Sequence, residues 1–257
     1  MRTSARSGEL VGTSFPDNPF APRINVPNSD LASFGSKALV TLGKLTVVVA
    51  VEYLLYYLQE LEEFRAHLIP EDAETPKHDQ PEEQFAQNLI RRGCSAPKPL
   101  IRTITYLRLR RNHIAHANDS PHQSLRTVVK DHAHQIAKFW NGQPTKLPGL
   151  SFSSMQFSEV DEAQAFSLVN LCRVIAEEID PIFCRTIPEQ VMERYAAANF
   201  AGNNRSLKGR TSRDRQRKFI AHFRNQYGGI STLGSAELDT LFGHPDLLRA
   251  TPGATEL

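Results

Sequence analysis

From Leu45 to Leu58 the chain reads LTVVVAVEYLLYYL, an apolar run broken by one charge, Glu52. A helix apolar on nearly every side is a core or interface helix. The surrounding sequence extends it over residues 36–69, where Pro70 stops it. Residues 70–83 are acidic and punctuated by proline, which predicts a loop. Shorter helices are expected near 83–92 and over 97–117. In the latter, Leu100, Ile104, Leu107 and Ile114 fall at alternating steps of four and three, the spacing of an apolar helix stripe. The missing step in that series is Arg111. Asn118, Asp119, Ser120 and Pro121 end the helix.

An amphipathic helix follows over 125–140, ended by Asn141 and Gly142, and then a loop over 142–158 with room for a short strand. Ser158 to Asp161 reads as a capping box opening a helix over 159–180, which Asp180 and Pro181 end. A shorter helix covers 188–199. No period of 20–50 residues is present, so the chain is not a repeat array. The expected fold is all-α: an irregular arm over 1–35, a helical bundle over 36–200 and a basic extension over 201–257. The arm is rich in Ser, Pro, Asn and Gly and drapes on the core through Phe15, Phe20 and Val26. The final ATPGATEL is expected to be disordered.

Composition limits what can follow. The 257 residues are 40% hydrophobic with a net charge of +2, so a nucleic-acid role must come from the distribution of charge rather than its total. Cys94, Cys172 and Cys184 lack metal-ligand spacing and read as small buried hydrophobes in a reducing cytoplasm. Arg2 and Arg6 are not followed by an apolar run, so no secretory signal is expected. The 45–58 run is short for a bilayer and carries Glu52, so no membrane segment is expected either.

Residues 111–116 read Arg-Asn-His-Ile-Ala-His. The bare pattern Arg-x4-His also occurs from Arg108 to His113 and from Arg217 to His222, but only Arg111 is followed by Asn. Cutting RNA without a metal needs a group that handles the proton of the ribose 2′-hydroxyl, which histidine suits. It also needs a donor set for charge gathering on the phosphoryl oxygens, which a guanidinium supplies. Arg111 on an apolar stripe asks for a carboxylate, and Glu52 is the natural one. The bland alternative is a buried Arg–Glu pair with His116 merely capping the helix.

This hexapeptide, behind an apolar helix carrying a Glu, resembles the HEPN ribonucleases, particularly those of the RiboL-PSP type, over residues 36–199. The resemblance implies a homodimer with a composite site and no cofactor, and attack of the 2′-oxygen on phosphorus. Arg111 would stabilise the phosphorane, Asn112 would position phosphate or His116, His116 would act as base or acid, and Glu52 would hold Arg111. Such proteins serve as toxins or antiviral effectors, with an antitoxin or sensor as partner. Where toxins of this type are silenced by a nucleotidyltransferase, a tyrosine lies four residues beyond the histidine. Here that position is Ser120.

Residues 205–224 hold eight Lys or Arg and one acid, Asp214, with Phe219, Phe223 and Tyr227 nearby. Cations beside stacking surfaces suit RNA, which nominates Arg210, Arg213, Arg217 and Lys218, with Arg108 on the motif helix. A solvated basic face is the plainer reading. No metal site is expected: His132 and His134 point about 160° apart on a helix, and no HExxH or Cys pair occurs. Gly-rich phosphate loops and Gly-x-Ser-x-Gly are also missing from the sequence. The rivals to catalysis are a non-catalytic bundle binding RNA or protein, and a DNA-binding regulator using 205–224.

Overall fold

The computed structural model describes residues 26–70, 79–116, 122–227 and 231–243, with Glu9, Leu10, Thr13, Asp17, Pro19 and Arg23 of the arm. Expectations for Phe15, Phe20, the centre of the acidic loop, the 118–121 stop, Ser120 and the final eight residues lie outside these. The described residues form eight α-helices and no strand: α1 (Leu31–Leu68), α2 (Pro81–Arg91), α3 (Lys98–Ala115), α4 (Gln123–Asn141), α5 (Glu162–Cys184), α6 (Glu189–Asn203), α7 (Ser212–Tyr227) and α8 (Ser235–Gly243). The class is all-α. Packing divides the chain into two compact units, Met1–Tyr57 with Ala96–Glu178 and Leu58–Ser95 with Ile179–Leu257. The boundaries at 35 and 200 follow composition instead.

In the first unit the buried side chains include Val47, Val51, Leu54 and Leu55 of α1, Leu100, Ile104 and Leu107 of α3, Leu125, Val129, Ile136 and Trp140 of α4, and Leu168, Leu171 and Ile175 of α5. Polar groups lock this core in register. Trp140 Nε1 donates to Thr103 Oγ1 at 2.9 Å, and Thr103 Oγ1 donates to the Pro99 carbonyl at 2.7 Å. Arg102 donates to Gln135, which also ties α3 to α4. A Cβ on Gly43 would meet Ala165 Cβ at 3.6 Å, so α1 and α5 approach closely there.

Several boundaries differ from expectation for local reasons. α1 starts at Leu31, so the last residues assigned to the arm are helical. The cap of α5 is Asp161, not Ser158: Gln164 N–H donates to Asp161 Oδ1 at 2.7 Å, satisfying one of the free donors of the first turn. α5 also continues through Pro181 to Cys184. Proline costs a helix one hydrogen bond, and Phe183, buried and 6.4 Å from Phe85, holds the last turn. The 142–158 loop contains no strand.

The second unit is more organised than a basic extension. α2 ends in a left-handed turn at Gly93 (φ 73°), where Cys94 N–H reaches the Leu89 carbonyl and Gly93 N–H the Ile90 carbonyl, a Schellman closure. Arg92 grips Glu62 with two bonds of 3.0 and 2.7 Å. Phe200 of α6, Phe219 and Phe223 of α7, and Leu238 and Phe242 of α8 form one buried cluster. Glu193 is buried beneath the approach to α8, taking bonds from Thr232 Oγ1 at 2.8 Å and Leu233 N–H at 2.9 Å. Burial pushes its carboxyl up, but hydrogen bonds from Ser231, Leu233 and Thr232 outweigh burial and leave it below the usual carboxylate range. Of the two roles open to Phe219 and Phe223, stacking on bases or packing as part of an extra helix, the structure shows packing: both are core residues. Replacing Phe219 with alanine should cost about 3–5 kcal/mol, read as a lowered urea midpoint. Ile220→Ala, at an exposed neighbour, should cost under ~1 kcal/mol. Equal, small effects would show that α7 is not integral to the unit.

Candidate functional site

The stripe on α3 is wider than its apolar residues suggest. Beside Leu100, Ile104 and Leu107, a second row of Thr103, Tyr106, Arg110 and His113 is buried, at steps of three, four and three. Arg110 is thus the arginine of the core, and Arg111 stands at its edge with its side chain 20% exposed. Arg110 directs Nη1 to Tyr106 Oη at 3.0 Å, Nε to the Phe157 carbonyl at 3.2 Å, and Nη2 to the Glu159 carbonyl at 3.0 Å and Gln164 Oε1 at 3.3 Å. The partners are neutral oxygens, so the cation is solvated by dipoles rather than paired.

His113 lies one turn further on, edge-on to Phe157 with ring centroids 6.1 Å apart. Its Nε2 is 2.8 Å from Ser158 Oγ, and its Nδ1 is buried without a hydrogen-bond partner. A proton on Nε2 leaves only a lone pair at Nδ1, which is cheaper to bury than an N–H. Burial, then the nearby Arg110 and Lys44 cations, hold the imidazole below its ordinary range. Neither Arg110 nor His113 was singled out from the sequence as a site residue. The available signal was a polar row at helical spacing, which period analysis based on apolar residues passes over.

The expected contact between α1 and α3 is present: Arg111 Nη2 forms an ion pair with Glu52 Oε1. Glu52 is 54% exposed, however, so the pair sits at the surface and not in the core. Arg111 Nη1 also donates to Asn112 Oδ1 at 2.7 Å, and Arg111 Nε is buried without a partner. His116 is the C-cap of α3; its N–H reaches the Asn112 carbonyl at 3.0 Å. Its side chain is exposed. Glu52, Arg111 and Asn112 are therefore in contact, and His116 joins them through the backbone of the last turn.

The nominated RNA contacts divide by environment. Arg210, Arg213, Arg217 and Lys218 are exposed, with Arg217 paired to Asp214 at 3.2 Å. Arg215 is used internally, bound to Asp239 Oδ1 at 2.6 and 2.9 Å. Arg108 is half-buried and engaged in an interaction. Of the cysteines, Cys172 is buried and its thiol is pushed up to about 12 by burial, whereas Cys184 is exposed, contrary to expectation. Among the described residues, no three His, Cys, Asp or Glu are grouped to hold a metal ion.

A cavity of about 380 Å³ beside Trp140, Leu147 and Phe152 contains none of the motif residues. The Glu52–Arg111 cluster is an open surface feature. The helical span Ser33–Leu68 is long and apolar enough to cross a membrane by length and composition. No protein-family model matches this sequence, and no match was found among curated proteins or solved structures.

The buried imidazole makes stability depend on pH. In the unfolded chain His113 takes its proton near pH ~6.5, and in the fold only at lower pH. Through that interval the unfolded state binds more protons, so stability falls as pH drops below ~6.5 and levels off once folded His113 is itself charged. The urea midpoint of the wild type should therefore fall more between about pH 7 and about pH 5 than that of His113→Gln. Parallel profiles would remove His113 as the cause.

Proposed function

We propose that the chain is a metal-independent endoribonuclease of HEPN type, working as a homodimer with a composite site. The observation that supports it most is a guanidinium fixed by Glu52 and Asn112 on the same helix end as an exposed imidazole. In this reading the ribose 2′-oxygen forms a bond to the adjacent phosphorus and the bond to the 5′-oxygen breaks. His116 takes the 2′-proton or supplies one to the leaving oxygen, and two copies of the chain divide these tasks. Arg111 meets the charge on the phosphoryl oxygens. The products are a 2′,3′-cyclic phosphate and a 5′-hydroxyl.

DNA lacks the attacking hydroxyl and is not a substrate. Arg210, Arg213, Arg217, Lys218 and Arg108 serve the RNA backbone. The biological role that fits is a cytoplasmic toxin or antiviral defence effector held by an antitoxin or sensor protein. One observation favours the rival, a non-catalytic module binding RNA or protein: both terminal nitrogens of Arg111 already have partners within the chain.

Single-stranded RNA incubated with the wild type in EDTA should be cut, and His116→Ala should lower the rate at least about 100-fold. His116 is exposed and off the core, so that variant should melt as the wild type does. Arg111→Ala should lose activity as well, at a stability cost under ~1 kcal/mol, because the Glu52 end of its ion pair lies in solvent. A folded His116→Ala protein that cuts at the wild-type rate would leave the non-catalytic reading.

A further inference from the structure

We infer that the cavity between α4 and the loop after it binds a small aromatic carboxylate, with the ring inside and the carboxylate at the mouth. The cavity lies wholly within the first unit, and its volume is about 380 Å³. Small-molecule sites occupy roughly 300–1,000 Å³. Trp140 at 2% and Phe152 at 5% exposure stand at its inner end, with half-buried Leu147 and Leu150 beside them. Lys146, His134, Ser151 and Ser153 line it too and are exposed, so they form the mouth. An apolar interior with a few polar groups to fix orientation is the pattern of a small-ligand site.

The walls are fixed by the chain itself. Trp140 Nε1 is committed to Thr103, which sets the place of the indole. Phe152 meets Tyr106 edge-on, with ring centroids 5.5 Å apart. The loop is seated on the start of α5: Ser167 Oγ donates to the Pro148 carbonyl at 2.6 Å. Gly149 is left-handed at φ 74°, and a Cβ there would come within 3.3 Å of Ala163 Cβ. Walls that are already ordered lose little entropy when a ligand binds.

Charge decides the ligand. Among the described residues, the lining includes Lys146 and no Asp or Glu, so an anion meets attraction without repulsion. Lys146 has no ion-pair partner of its own among the described residues. Ser151 Oγ and Ser153 Oγ lie 3.1 Å apart. Their mutual bond uses one hydroxyl hydrogen and leaves the other to donate, and an ammonium beside a hydroxyl suits a carboxylate. The partial negative charge at the end of α4 works against an anion. It is reduced because the Gly142 and Gln143 N–H groups already meet the Lys138, Phe139 and Trp140 carbonyls. Trp140 and Phe152 favour a flat ring as the apolar part. The site is separate from the Glu52–Arg111 cluster and holds whether or not the chain cuts RNA.

Trp140 is the single tryptophan of the chain, so its fluorescence reports this cavity. The probes are 3-phenylpropionate, which does not absorb where tryptophan alone is excited, and its neutral isostere 3-phenylpropanamide. Titrating the full chain with the acid should change the Trp140 emission saturably, with a Kd on the order of 0.1 mM for a ligand of this size, and should raise Tm. The amide should bind about fivefold more weakly, the loss expected for one solvent-exposed ion pair. Lys146→Met should bring the acid down to the affinity of the amide, and added salt should do the same. Lys146 is exposed, so this variant should melt as the wild type does before ligand is added. Ala137→Phe, which fills the cavity from α4, should abolish binding of both probes; should it unfold, Lys146→Met still decides the matter. No saturable change in emission or Tm up to roughly 5 mM acid would overturn the site. Equal affinities for acid and amide, or an acid affinity indifferent to Lys146→Met, would do so too.

Discussion

The charge of Arg110 is what the first unit is organised around. A guanidinium taken out of water is costly unless its donors are met, and here they meet oxygens of Tyr106, Phe157, Glu159 and Gln164. Each hydrogen bond to a charged group contributes about 1.5–3 kcal/mol, and losing the set would leave a bare buried cation. The approach to α5 is thereby fastened to α3, and α3 cannot rotate about its axis without breaking the set. The positions of the neighbouring residues follow. Arg111, about 100° further round the helix, reaches the edge of the core and Glu52, and His116 emerges at the C-terminus.

Adjacent arginines thus have different tasks. Arg110 is internal and solvated by dipoles, which suits a fixed structural member. Arg111 is at the surface, held by one carboxylate and one amide oxygen. A similar contrast separates His113, neutral and enclosed between Phe157 and Ser158, from His116, exposed at a helix end. The proposed chemistry uses the outer member of each pair, and the inner members hold the outer ones in place. The second unit shows the same economy with charge: Arg215 is committed to Asp239, while Arg213 and Lys218 face outward.

Much of the fold was legible because apolar periodicity reports buried faces directly. The long first helix, the motif helix and the amphipathic helix after it lie close to their expected bounds, and Glu52 was rightly paired with Arg111. Periodicity failed where polar groups are buried. Thr103, Arg110 and His113 belong to the core through hydrogen bonds that leave no apolar mark, so the apolar stripe alone points to Arg111. Charge misled in the C-terminal region, where a dense basic run concealed Phe219 and Phe223 as core residues. Pro181 misled as a stop, because packing by Phe183 carries the helix past it. Exposure is only partly legible in sequence: the apolar run around Glu52 fits a core helix and an interface helix alike, and about half of it faces outward.

The proposed cleavage has one requirement that other nucleic-acid chemistry does not share, a 2′-hydroxyl on the nucleotide immediately 5′ of the cut. The most direct measurement is therefore a comparison, in EDTA, of an RNA that the protein cuts at a mapped position with the same RNA carrying a single 2′-deoxynucleotide there. Loss of that cut alone, with other positions still cleaved and a 2′,3′-cyclic phosphate on the fragments, is the predicted result. Continued cleavage at the deoxy position would contradict attack by the 2′-oxygen, and with it the roles given to Arg111 and His116.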